Sequence, residues 1–313
     1  MQSERTWMRL VALVMTGVVV IGGGWFLMRG GVYGLALFVV IPIILGALAE
    51  CFQKSATWAG AATIGALAVL LINIGLLGLG IEGLICIAMS IPLTVPLGAL
   101  GGCFIYAARR SRVPGNGTAV FFLLPLTAGT LGFDLTAKPP VYEAHTSIEI
   151  AAKPDKVWKY VVSFSEMPPP DEWFFKAGVA YPERVRMAGS GVGAVRYCEF
   201  STGPLVEPIK IWDEPRLLQF SVTESPASMR EWSPYPELNP KHLHGYLISR
   251  QGQFQLTPLP NGHTLLEGTS WYQHGLWPSQ YWRLWSNAII HRIHLRVLTH
   301  IRTLAEEDVV AGR

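Results

Sequence analysis

The chain has 313 residues, 50% of them hydrophobic, and a formal net charge of +3. Its basic residues are dispersed, which excludes the clustered electrostatic footprint of a nucleic-acid binder. Four cysteines without paired spacing exclude a disulfide framework or a zinc-finger-type motif.

Charge is distributed unevenly along the chain. Residues 1–138 carry 8 Lys/Arg and 4 Asp/Glu, whereas the remainder carries 17 and 18 and all 8 histidines. This asymmetry predicts a membrane domain over residues 1–138 and a separate water-exposed domain over 139–313. The first apolar run, residues 8–28, is long enough to cross about 30 Å of hydrocarbon at 1.5 Å per helical residue. It lacks a small-x-small cleavage site, and four further apolar segments follow, at about 32–49, 57–80, 83–107 and 118–134. About five spans are therefore expected. The fifth is short and contains Pro125, Gly129 and Gly132, so it reads either as a span or as a shallow membrane helix. With the N-terminus in the cytoplasm, Arg5, Arg9, Lys54, Arg109, Arg110 and Arg112 all fall inside and only Arg29 falls in an outward connection, which favours that orientation. The expected location is a multi-pass cell (inner) membrane, with the second domain outside the cytoplasm if residues 118–134 cross. Pro42 is expected to kink the second span, and Pro92 and Pro96 the fourth. Ala61 with Gly65, and Gly98 with Gly102, recur at four-residue spacing and suit close helix approach, within the chain or in a homo-oligomer. The spans contain almost no ionisable groups, which leaves little for a proton or ion pathway.

After Pro139-Pro140, residues 146–150 alternate as a strand and Pro154 opens a helix through Val157, Trp158, Val161 and Val162. Trp173, Phe174 and Phe175 follow as an aromatic flap or short helix. Strands are expected at 192–200, 204–212, 216–223, 246–257 and 263–273, the last two joined across Asn261-Gly262. A long helix closes the chain from about 279 to 306, just after Pro278. A strand, a helical pair, an antiparallel meander and a long terminal helix is the order of an α+β helix-grip domain, a curved sheet wrapped around that helix.

Residues 148–158, IEIAAKPDKVW, and 189–222, with a Gly-x-Gly hairpin and an Asp-x-Pro-x-x-Leu turn, resemble the polyketide cyclase/dehydrase-like branch of the START-like (SRPBCC) superfamily. The resemblance covers about residues 145–307. It implies a cavity between sheet and helix and a role as lipid carrier, small-molecule binder, cyclase or coenzyme chaperone. The Pro-rich segment 224–245 departs from the family pattern, which leaves the cavity's shape open.

Several residues are candidates for function. Trp271, Tyr272, Trp282 and Trp285 stand where sheet and terminal helix meet and are expected to line a pocket, as core or as ligand contacts. Glu199, Glu207 and Glu267 lie within strands, where a carboxyl is either desolvated toward the cavity or paired with Arg196 or Arg250; Glu199 is included among ligand-binding candidates. Glu267, His274 and His291 are the candidates for catalysis. His242 and His244 point the same way if extended, with His274 nearby, but no carboxylate completes a metal shell, so no metal is assigned. Gly189, Gly191 and Gly193 precede an alternating strand and read as a hairpin, not a phosphate loop. Cys198 reads as a buried thiol. No cofactor is expected. The expected partners are the bilayer and a hydrophobic small molecule or lipid. The leading reading is membrane-tethered binding of such a ligand; the alternatives are a cyclase/dehydratase-like enzyme and a ligand sensor that gates the bundle.

Overall fold

The structure is a computed structural model that describes residues 2–111, 123–235, 238 and 240–312, without the side chains of residues 2–10, 12, 123 and 124. The chain divides into two compact units. The first comprises Met1–Lys138, Glu231–His242 and Gly275–Pro278, and the second Pro139–Arg230, Leu243–His274 and Ser279–Arg313.

In the first unit, α1 (Gln2–Gly30) is followed by a π-helical stretch (Ala36–Val40) that runs directly into α2 (Ile41–Gln53), then α3 (Trp58–Gly78), α4 (Leu84–Arg110) and α5 (Leu123–Thr136). Among the described residues, four helices are long and apolar enough to cross a membrane: α1, the π-helix with α2, α3 and α4. The expected fifth span, 118–134, lies only partly among the described residues: residues 118–122 and Arg112 are outside them, and the described part, α5, has 14 residues, about 21 Å. Pro42 lies where the π-helical stretch runs into α2, inside one continuous helix from Ala36 to Gln53, so the break it makes in the regular hydrogen-bond ladder coincides with the π-helical turn. Val14, Val18, Val19 and Phe26 of α1 and Leu67, Leu71 and Ile74 of α3 face outward, an apolar surface suited to hydrocarbon.

Small residues let these helices touch backbone to backbone. A Cβ on Gly98 would meet Val69 of α3 at 2.5 Å, one on Gly102 would meet the Ala61 carbonyl oxygen at 2.2 Å, and one on Gly101 would meet that of Ile43 in α2 at 2.0 Å. Buried Glu50 pairs with Arg109 and accepts from Ser55 N (2.8 Å) and Ser55 Oγ (2.6 Å), so the one deeply buried carboxylate of α2 is fully partnered. Asn73 is satisfied by Ser90 (3.1 Å) and the Val69 carbonyl (2.9 Å).

The second unit is a seven-stranded antiparallel sheet in the order β1-β7-β6-β5-β4-β3-β2. Its strands are β1 (Val141–Ile150), β2 (Pro182–Ala188), β3 (Val195–Phe200), β4 (Gly203–Asp213), β5 (Leu217–Ser221), β6 (Leu247–Pro258) and β7 (Thr264–His274), with helices α6 (Pro154–Val162), α7 (Trp173–Lys176) and α8 (Ser279–Val310). This is the helix-grip architecture. The β6–β7 hairpin turns at Gly262, whose φ of +83° suits glycine. Gly189, Gly191 and Gly193 all have positive φ in the β2–β3 turn, which accounts for the glycine spacing without any anion. β2 escapes the sequence pattern because Arg184 and Arg186 alternate with Val185 and Met187 along an edge strand, so little of it reads as apolar. The core lies where Val157, Trp158 and Val161 of α6 and Leu298, Ile301 and Ala305 of α8 meet Leu218, Leu256 and Leu266 of the sheet.

Candidate functional site

The two halves of α8 meet the sheet differently. The C-terminal half packs into the core, while Ile289, Ile290, Ile293, His294 and Val297 wall a cavity of about 150 Å³ whose floor is formed by the central strands. A curved sheet cannot fill its own concavity with its side chains, and the space remains apolar: Phe220, Phe254, Leu205, Leu247 and Phe200 line it. Gly252 is needed here, because a Cβ would meet the Phe220 ring at 2.6 Å.

The polar groups on this wall are few. Arg196 on β3 pairs with Glu207 on β4, opposite it in the strand register, and the two are 2% and 3% exposed. The Arg196 guanidinium lies between the rings of Phe220 (5.5 Å) and Phe254 (5.3 Å), so cation–π attraction replaces part of its lost hydration. Burial pushes the Glu207 carboxyl above the usual range, opposed by the neighbouring guanidinium. Arg196 Nε is buried without a hydrogen-bond partner. Burial also pushes the Cys198 thiol up to about 12, which makes it an inert apolar wall group at neutral pH.

The second polar group is His294. Its Nε2 is 2.8 Å from Ser270 Oγ on β7, and its Nδ1 is 3.2 Å from Thr146 Oγ1 on β1, which also meets His291 Nδ1 at 2.8 Å. Burial, reinforced by His291 and His145, lowers His294 to about 4, so the imidazole is neutral. Tyr272 completes this side: 1% exposed, it lines the cavity while its hydroxyl lies 3.1 Å from Ser286 Oγ.

The other candidates are dispersed. Strand alternation puts Ser270 and Tyr272 on the face toward α8 and Glu267 and Trp271 on the opposite face, where Trp271 Nε1 donates to Glu143 (3.1 Å) and Glu267 lies 3.5 Å from His145 Nε2. Trp282 is buried, with its ring edge-on to Tyr281 at 5.3 Å, and Trp285 hydrogen-bonds Tyr281; neither borders the cavity. Glu199 is held outside it between Arg184 (2.6 Å) and Arg186 (2.7 Å), which keep its carboxyl below the usual range. His274 stacks on Tyr142 at 5.2 Å, and Glu267 is separated by the sheet from both His274 and His291. His242 and His244 are not extended: a 3-10 turn over Lys241–Leu243 separates them, and they fall in different units. The Arg196–Glu207 pair was within reach of strand-register reasoning. The His294–Ser270–Thr146 contact was not, since it joins three elements distant in sequence.

No family model and no curated protein matches the sequence. Solved structures that resemble it include norcoclaurine synthase from Thalictrum flavum, at 12% identity and TM-score 0.34, covering 55% of this chain and 98% of that one. The Zhui aromatase/cyclase from Streptomyces sp. R1128 is 16% identical over 54% of this chain and 96% of its own, with TM-score 0.32. A protein from Nitrosospira multiformis is 15% identical over 52% and 94%, with TM-score 0.33.

Proposed function

We propose that the helix-grip cavity binds a neutral, ring-sized hydrophobic molecule bearing one polar group, in a protein anchored to the membrane by its N-terminal helices. The observation that carries this reading is the apolar cavity of about 150 Å³ with paired or neutral polar groups on its wall. A space of about that volume lined by apolar side chains accepts a benzene-sized guest, whereas sites for larger ligands run from about 300 Å³ upward. Small aromatic or short branched ligands are thus favoured over whole phospholipids. Neutrality follows from the wall: Arg196 is already balanced by Glu207, and His294 is uncharged. The bare Arg196 Nε and the Ser270 hydroxyl are available to an acceptor or hydroxyl on the ligand. Native mass spectrometry of the full chain, followed by calorimetry with p-cresol as probe, tests this. Binding in the wild type that is lost in Ile293→Trp, which fills the cavity, is expected; equal binding by the two proteins overturns it.

The enzymatic reading has one observation in its favour, the 2.8 Å contact of Ser270 Oγ with His294 Nε2. A histidine held at about 4 is a weak general base at neutral pH, and a threonine hydroxyl rather than a carboxylate stands behind it. Binding without turnover is therefore preferred. A cyclase/dehydratase-type reaction that depends on Glu267, His274 and His291 acting together conflicts with their separation by the sheet.

For the location we propose a cytoplasmic N-terminus, on the basic-residue count, and a second unit outside the cytoplasm. Arg109 at the end of α4 bonds the Ser55 carbonyl at one end of the bundle. At the other end Tyr33 bonds Glu82, and Asp134 of α5 accepts from Leu35 N (2.8 Å) and Ala36 N (2.9 Å). That Arg109 and Asp134 lie at opposite ends of the bundle supports this reading.

A further inference from the structure

The first unit contains a cluster that the cavity reading does not use. Glu82 lies in the connection between α3 and α4, Cys86 in the first turn of α4, and His242 in the 3-10 turn that ends the segment Glu231–His242. One ligand-type atom from each lies within 4.8 Å of the other two. Cys86 Sγ is 2.8 Å from His242 Nε2, and His242 Nδ1 is 3.6 Å from Glu82 Oε2. Glu82 and His242 are 5% and 9% exposed, and Glu82 Oε2 and His242 Nδ1 are both buried without a hydrogen-bond partner. At 3.6 Å the two atoms are within ion-pair but beyond hydrogen-bond distance of each other, and a buried polar group without its hydrogen bond costs about 1–3 kcal/mol unless something binds it.

The surroundings hold these three groups in position. Tyr33 OH donates to Glu82 Oε1 at 2.9 Å, which leaves Oε2 as the outstanding acceptor, and the Tyr33 ring lies 4.7 Å from that of His242. Glu231 accepts from Ile85 N and Cys86 N, each at 3.1 Å, and Leu84 N donates to the Trp232 carbonyl at 3.0 Å. These bonds clamp the histidine-bearing segment onto the helix turn that carries the thiol. A Cβ on Gly83 would meet the Glu231 carboxylate at 2.1 Å, so glycine permits that approach. Ligands fixed by an outer layer of hydrogen bonds are characteristic of metal sites.

We propose that Glu82, Cys86 and His242 bind one divalent transition-metal ion of the zinc class through carboxylate, thiolate and one imidazole nitrogen. Thiolate and imidazole select zinc or cobalt over magnesium or calcium, which prefer all-oxygen shells. The dication's two charges are matched by the thiolate and the Glu82 carboxylate, the Glu231 carboxylate beside them stays bound to the Ile85 and Cys86 N–H groups, and the thiol proton is released to solvent. Three protein ligands leave a fourth tetrahedral position open to water or an exogenous ligand.

Chelator-treated full-length protein in detergent, titrated with cobalt and then zinc, tests this. The expected result is one ion per chain, a thiolate-to-cobalt charge-transfer band, and affinity reduced about 100-fold or more in Cys86→Ser and His242→Ala, with Cys103→Ser unchanged. If the variants fold poorly, zinc protection of Cys86 against maleimide in the wild type is the readout: protection supports the site. Absence of protection, or zinc affinity in Cys86→Ser equal to wild type, overturns it.

Discussion

The chemistry of the cavity wall depends on two buried polar groups solved in different ways. Arg196 is charged and therefore needs Glu207. Removing one partner strands the other in an apolar wall, so Glu207→Leu is expected to destabilise the protein by about 3–5 kcal/mol. The double variant Arg196→Met/Glu207→Leu is expected to recover most of that loss, since the pair's Coulomb gain largely offsets its desolvation; thermal midpoints of the full chain in detergent provide the comparison. His294 is instead kept neutral. Its folded-state value of about 4 lies below that of an unfolded histidine, so the unfolded chain takes up the proton first as pH falls. Stability from this residue is complete above about pH 6.5 and is lost progressively toward pH 4, by on the order of 3 kcal/mol. His294→Gln should flatten that part of the stability–pH curve, and a slope identical to wild type would count against the assignment. On the opposite sheet face, Trp271→Phe removes only the bond to Glu143 and should leave p-cresol affinity within twofold.

At the level of elements, glycine spacing in α4 is a packing device. Gly101 faces α2 and Gly102 faces α3, so one helix touches both neighbours through hydrogen-sized side chains. Gly102→Leu is expected to cost more than the about 1–3 kcal/mol usual for overpacking, because the obstructing atoms are backbone. Gly75→Ala in α3, with nothing within 4 Å of its added methyl, should be neutral or stabilising by about 0.5–1 kcal/mol. Thermal unfolding of the two variants in the same detergent separates a packing role from mere apolar composition. In α8 the corresponding division is between a half that fills the core and a half that faces the cavity, and no periodicity in its sequence marks the change.

For the whole molecule, the proposed orientation sets the compartment of the second unit. Protease added to intact spheroplasts should cleave within residues 139–313 and spare the N-terminus; protection of both would reverse the assignment. The segment Glu231–His242 is what most changes the sequence reading. It looks like an insertion in the helix-grip pattern, yet it belongs to the first unit, where it brings His242 to Glu82 and Cys86. Pro-rich sequence has no period from which such a destination can be inferred.

The sequence by itself determined the division into apolar and polar halves, the long apolar helices, the β6–β7 hairpin and the terminal helix, because hydropathy, turn residues and strand alternation act locally. It also limited the partners of Arg196 to a few strand carboxylates. Only the tertiary structure decided which face of β7 looks inward: Tyr272 and Ser270 toward α8, Trp271 and Glu267 away. A two-residue period states that neighbours oppose each other but not which of them meets the helix. The same holds for His294 with Ser270 and Thr146, and for Glu82 with Cys86 and His242, whose proximity depends on packing between elements up to 160 residues apart.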